Sequence, residues 1–299
     1  MRLHTLTPWA AAPCLAALLT TACAGEPADA TADVDQPFAT LLSGDPIHEQ
    51  VTLDGLYFLK PEIALQLVAG NLATDVFFFL DNRYHFDDCN FSRASRLIAA
   101  DQEQAVGFLN PSADTPETTF SALQAFARSL HAVQDLYSHT NWVEIEAAGL
   151  VDESLGAWSV LTPYSVLTPS NVMIVEGQPP RGTRVSRDAR LPYPENMRVT
   201  VQRGAERWLG LVSGSVDYEP GDYCPARIRS THEELNKDRS TDTDRTLQHE
   251  QAKALAMTQT THEWCRLRAL TKARWGEAGE QRLNTWVAAG ATPPDCGAP

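Results

Sequence analysis

The sequence predicts an all-α fold, mainly helical, with a loop-rich insertion around residues 150–225 that carries a small hairpin. Three observations predict it. Apolar residues recur at spacings of three and four over most of the chain outside that insertion. Runs of β-branched residues are short and fall inside it. The composition is that of an ordinary globular chain, 43% hydrophobic and 21% charged over 299 residues.

The elements follow in order. Asp45-Pro46 caps and opens a first helix, with proline at the first helical position. Glu62 to Leu80 is apolar on nearly every side and reads as a buried helix. Ser92 caps a further helix that runs to about Leu109 and stops at Asn110-Pro111. Thr118 to His139 has the strongest pattern, with Phe120, Leu123, Phe126, Leu130, Val133 and Tyr137 on one stripe. Val172 to Val175 and Arg198 to Val201 supply the hairpin strands. Helical periodicity returns from Thr246 to about Val287. The domain therefore spans 45–290, with a tail at 291–299.

The first residues read as an address. Arg2 precedes an apolar run from Trp9 to Ala22 that is shorter than the ~20 residues needed to span a bilayer, so residues 1–22 fit a secretory signal peptide. Leu19-Thr20-Thr21-Ala22-Cys23 resembles a bacterial lipobox, which predicts an exported protein, either a cell-envelope lipoprotein anchored through Cys23 or a secreted one. Residues 23–44, rich in Ala, Asp, Pro and Thr, read as a disordered tether. Four cysteines remain in the domain, Cys89, Cys224, Cys265 and Cys296. None forms a C-x-x-C pair, so disulfides are favoured over a thiolate zinc site, and their pairing is open. The formal net charge of −14 repels phosphate backbones, and no duplex nucleic acid is expected as a partner.

The histidines carry the chemistry. His131, Asp135 and His139 stand at i, i+4 and i+8, on one helix face. Imidazole nitrogen and carboxylate oxygen both suit zinc, and a bridging Asp135 suits two ions roughly 3.5–4 Å apart. Glu144 follows just past the helix end as a further acid. His48 lies in a first helical turn, where the dipole favours neutral imidazole. Asp75 sits in an apolar segment and needs a partner. His85 precedes Asp87 and Asp88, either of which reads equally as a turn residue. His262, thirteen positions from His249, falls on a different helical face and is set aside.

These blocks carry a resemblance. Ile47-His48-Glu49-Gln50, Gly70-Asn71 to Asp75, His85-Phe86-Asp87, and His131 through Asp135 and His139 to Glu144 are similar to the heterokaryon-incompatibility C (Het-C) family, as are His232 to Asp238 and His249-x-x-Ala252. Their order also resembles the zinc-dependent phospholipase C and single-strand nuclease superfamily. The resemblance implies a phospholipase C-like all-α fold with two or three zinc ions. Asp75, His85, His131 and Asp135 would hold one ion, with Asp75 as general base. His139 would ligate a second, completed by His232 with His249 or by Glu144, because Asn236 and Lys253 stand where a His-x-x-x-acid pair needs its acid. His48 would reach a third, sharing Asp135.

The function so implied is zinc-dependent phosphodiester hydrolysis by zinc-bound hydroxide. The substrate is expected to be a phospholipid or another phosphodiester, at a membrane if Cys23 is acylated. The alternatives are a non-catalytic zinc-stabilised surface module and a single-strand nuclease.

Overall fold

The computed structural model describes residues 47–78, 80–146, 154–156, 158–168, 170–216, 223–238 and 246–296. The predicted signal peptide 1–22, the tether 23–44 with Cys23, and the Asp45-Pro46 cap lie outside the described residues.

Helix α1 is Ile47–Gly55, and α2 is Pro61–Phe78, opened by its proline. Short α3, Asn82–His85, is capped by the Asp81 side chain, which accepts from the Arg83 amide. Helix α4 is Phe91–Phe108. Helix α5, Pro116–His139, starts on a reciprocal capping box between Thr115 and Thr118 with Pro116 just inside it. Short α6, Trp142–Glu146, follows at once. Helix α7 is His232–Leu235, and α8 is Thr246–Asn284, broken where Gly276 turns to φ 62°. Helix α2 lies tight on α5 because Gly70 has no side chain. A Cβ there would stand 2.8 Å from the Ala127 Cβ.

The region 166–215 overturns the all-α expectation. It holds a five-stranded mixed sheet in the order β1-β2-β5-β4-β3. The strands are Val166–Leu167, Val172–Ile174, Thr183–Arg187, Val199–Arg203 and Glu206–Leu211. The two runs read as one hairpin are not paired with each other. β2 pairs in parallel with β5, and β4 pairs antiparallel with both β5 and β3. A second, two-stranded sheet joins β6, Gly214–Ser215, to β7, Ser230–Thr231. The strands are too short for alternation to register, and the parallel partner of β2 lies beyond two intervening strands, so no local pattern announces it.

Residues 45–299 form one compact unit. Its described residues form two apolar clusters. One joins Leu67, Leu123, Phe126 and Leu130 to Trp264 and Trp286. The other joins α4 and the end of α5 to the sheet through Ile98, Val133, Leu136, Ile174, Val201 and Leu211. Asn141, just after α5, fastens the sheet to that helix end. Its amide donates to the carbonyls of Met197 and Gly210, and its oxygen accepts from the Val212 amide. Disulfides join Cys89 to Cys224 and Cys265 to Cys296, which resolves the pairing that the sequence leaves open.

Candidate metal centre

The last turns of α5 bury His131, Asp135 and His139 on one face. Burying a carboxylate and two imidazoles requires partners for each. They arrive from separate segments. Helix α1 brings His48, α2 brings Asp75, and α3 brings His85. The 3-10 turn Asp87–Cys89 brings Asp87, and α7 with the residues after it brings His232 and Asp238.

Asp135 is the hub. Its Oδ1 lies 3.1 Å from His48 Nε2. Its Oδ2 lies 2.9 Å from His85 Nδ1, 3.2 Å from His131 Nε2 and 3.8 Å from His139 Nδ1. Asp75 Oδ1 approaches His131 Nε2 at 3.5 Å. On the far side His139 Nε2 meets Asp238 Oδ2 at 3.0 Å, and His232 Nδ1 meets Asp87 Oδ1 at 3.0 Å. Among the described residues, four groups have donor atoms within 4.8 Å of one another: His48, His131 and Asp135; Asp75, His85 and His131; Asp87, His139 and His232; and Asp135, His139 and Asp238. They form a chain, because His131, Asp135 and His139 each belong to two groups.

The second nitrogen of each central imidazole shows how the rings are aimed. His48 Nδ1 donates to Gln134 Oε1 at 2.9 Å, and His131 Nδ1 donates to Asn71 Oδ1 at 3.0 Å. His85 Nε2 donates to the Phe78 carbonyl at 3.3 Å, and His139 Nδ1 donates to the His85 carbonyl at 2.9 Å. The two amides are themselves oriented, since Gln134 Nε2 donates to Thr52 and Thr260, and Asn71 Nδ2 to Thr52 and Gln134. The tautomers follow from these acceptors. His48, His85 and His131 then face Asp135 with the nitrogen that carries no proton when the ring is neutral, the arrangement of metal-ligating histidines.

A lone pair facing a carboxylate at this range needs a positive charge, either a proton or a metal ion. Protons serve when no ion is present. Burial disfavours the His48 cation, but Asp135 overrides it and pushes the imidazole up to about 10. His139 is raised well above its ordinary value in the same way, against burial, by Asp135 and Asp238. Burial holds His131 low, helped by its neighbour His48. Asp135 and Asp238 stay below the usual carboxylate range despite burial, because His131 and His139 respectively face them. Asp135 Oδ1 is buried against the His48 imidazole at 3.1 Å, and Asp238 Oδ1 is buried and accepts no hydrogen bond. The donor set and these two oxygens fit divalent ions. The chain thus carries His/Asp clusters able to bind metal.

Two devices hold the far half. Phe86, Asp88 and Cys89 all adopt left-handed backbone, φ 54°, 58° and 53°, which aims Asp87 inward. The turn is held by Asp88, which accepts from Asn82 Nδ2 and the Val216 amide, and by the Cys89–Cys224 disulfide. Lys237, fully buried, donates to the carbonyls of Ser138 and Thr140 at the end of α5 and so seats Asp238 beside His139.

Of the residues read from the sequence, the structure brings together His48, Asp75, His85, His131, Asp135, His139 and His232. Glu144 stands apart, with its carboxylate 3.4 Å from Lys237 Nζ and accepting from the Tyr193 hydroxyl. His249 donates from Nδ1 to the Lys237 carbonyl and joins none of the groups. His262 lies elsewhere, beside Ser154. Asp238 was missed, and Asp87 had an equal reading as a turn residue. The disulfide partner Cys89 and the acidic pair Asp87-Asp88 were the available signal for Asp87, whereas Asp238 follows the end of α7 and shares no helical register with His232.

A family model described as the VWA7 N-terminal domain matches residues 61–157. This match replaces the Het-C and zinc phospholipase C resemblance drawn from the motifs. The matched segment contains Asp75, His85, Asp87, His131, Asp135 and His139, and leaves His48, His232 and Asp238 outside it. No curated protein and no solved structure matches the chain.

Proposed function

We propose that this chain is an exported metal-dependent phosphodiester hydrolase that works with zinc. The observation that carries the reading is the aim of His48, His85 and His131. Each has one ring nitrogen tied to an oxygen outside the centre and the other turned toward Asp135. A purely structural hydrogen-bond network has no need for that repetition. An all-nitrogen-and-oxygen set of imidazoles and carboxylates favours zinc over softer or harder ions. When bound, adjacent divalent ions supply Lewis acidity and make water a stronger acid near neutral pH.

The chain's own residues do the rest. Asp75 has a side chain 46% exposed, whereas that of Asp135 is 1% exposed. Asp75 therefore stands at the mouth, where it takes the proton from attacking water. His232 and Asp238 are both part-exposed on the far half. Asn71 and Gln134 hold the rings in place from behind. Two disulfides support an oxidising compartment, in keeping with the predicted signal peptide.

A second reading is a zinc-stabilised module without turnover. The near-complete burial of His131 and Asp135 favours it. One experiment separates the two. The purified protein is analysed for metal and assayed on bis(p-nitrophenyl) phosphate, beside Asp75→Asn. Bound zinc with turnover that falls at least about a hundredfold in the variant supports the hydrolase. Full zinc occupancy without turnover leaves the module, and a metal-free protein that takes up no zinc ends both.

A further inference from the structure

His232 is aimed the opposite way to His48, His85 and His131. A neutral imidazole has one nitrogen that donates and one that accepts, and a neighbour that can only donate settles which is which. Asn236 supplies that neighbour. Its Oδ1 accepts from the Asp238 amide at 2.8 Å, and a backbone N–H cannot exchange roles, so Nδ2 is the side turned to the ring. Nδ2 lies 3.0 Å from His232 Nε2. Nε2 therefore accepts, and the ring proton sits on Nδ1, which donates to Asp87 Oδ1 at 3.0 Å. His139 turns a similar edge to the same acid. Its Nδ1 donates to the His85 carbonyl and stands 4.0 Å from Asp87 Oδ1. Asp87 thus faces ring N–H groups from both histidines. An ion between Asp87 and these edges would meet protons where it needs lone pairs.

The same limit applies to the other groups. His131 Nδ1 donates to Asn71 Oδ1, so Nε2 is its one ligating atom. The group of His48, His131 and Asp135 must share that atom with the group of Asp75, His85 and His131. One imidazole lone pair binds one ion. The group of Asp135, His139 and Asp238 has its own, because His139 Nε2, 3.0 Å from Asp238 Oδ2, carries no proton when Nδ1 donates. We infer that the centre takes two divalent ions, one on His131 and one on His139, and that Asp87 and His232 form a hydrogen-bonded pair holding a proton in place of a third ion. His232 is then a positioning residue. It fixes Asp87 through Nδ1. Asp87, together with the His85 carbonyl, keeps the His139 proton on Nδ1 and the His139 lone pair toward the ion. The count of ions rests on the zinc reading proposed above, whereas the tautomer of His232 does not.

The test counts zinc on the purified protein and on two variants, His232→Asn and His232→Ala, by titration and by metal analysis after desalting. Asparagine places an amide N–H where Nδ1 stands and offers no nitrogen lone pair to an ion. The expected result is two zinc ions per chain in the wild type and in His232→Asn, with equal affinities. His232→Ala removes the donor to Asp87 and should weaken the second ion roughly tenfold or more. A third ion in the wild type overturns the inference, as does uptake of only one or none. So does a folded His232→Asn that binds zinc as weakly as His232→Ala, since a ligand is lost equally in both. Equal affinity in all three proteins overturns the positioning role. A long-range proton–nitrogen NMR correlation on histidine-labelled wild-type protein reads the tautomer without any variant. A proton on His232 Nδ1 and a bare Nε2, before and after zinc is added, are expected, and a zinc-bound nitrogen on His232 overturns the pair. None of these readings uses turnover. Two bound ions without hydrolysis of bis(p-nitrophenyl) phosphate would overturn the hydrolase alone.

Discussion

Helix α5 buries chemically opposite side chains along its length. Leu123, Phe126 and Leu130 enter an apolar cluster with Trp264 and Trp286. His131, Asp135 and His139 enter a cluster of charge and imidazole only a turn away. Apolar side chains are satisfied by any close neighbour of the right shape. The polar ones are satisfied only by named partners from five other segments. The first half is thus insensitive to what is dissolved around the protein, and the second depends on the protonation of its partners.

The largest expected effect is at Asp135. Asp135→Asn removes the acid common to two of the groups and leaves His48 and His85 without their counter-charge. Zinc content should fall toward zero, and stability should drop by about 3–5 kcal/mol, the usual cost of removing one partner from a buried charge set. Metal analysis and thermal unfolding with and without chelator check this. The chelator should lower the midpoint of the wild-type protein and leave the variant unmoved.

Trp264→Ala tests the other half. It should cost about 3–5 kcal/mol by the cavity it leaves. The loss should be the same with and without chelator, in contrast to Asp135→Asn, and denaturant unfolding in both media measures it.

Glu263 lies in neither category. It is fully buried on α8, and burial pushes its carboxyl up to about 7 against hydrogen bonds donated by Gln102 and Gln259. The folded state holds this proton from near 4.5 up to about 7, where the unfolded chain has already lost it. Stability from this group therefore falls as pH rises through that window, by an amount on the order of 3 kcal/mol. Glu263→Gln should flatten the slope and raise stability above pH 7, because Gln102 Oε1, which has no partner, can accept from the new amide. Urea midpoints between pH 5 and 8 at constant metal report it. The smallest effect is at His262, whose Nδ1 faces Ser154 Oγ at 3.2 Å. His262→Ala should change zinc content not at all and stability by less than about 1 kcal/mol.

The same contrast explains what could be read in advance. Helices α2, α4, α5 and α8 were legible because their periodicity is local and repeats for several turns. The His131, Asp135 and His139 stripe was legible for the same reason. Glu144 was misread because adjacency to that stripe suggested a ligand, while its partner Lys237 lies far along the chain. Asp87 meets a histidine 145 positions away, and Asp238 reaches His139 across 99. No window of sequence contains either meeting. The sheet was under-read on the same grounds, since β1, β2 and β5 find each other through pairing rather than pattern. The exposure of α2 was hidden too, because an apolar helix reads as buried whether or not something covers it.

The Cys89–Cys224 link closes a span of 135 positions around the middle of the chain. During synthesis, His48, Asp75, His85 and the α5 residues emerge well before it can form, while His232 and Asp238 emerge after its second cysteine. A half-made chain therefore owns one side of the centre and has no means of completing the other. The last third of the polypeptide thus acts as a latch, so that a closed His/Asp centre becomes a signature of a finished molecule.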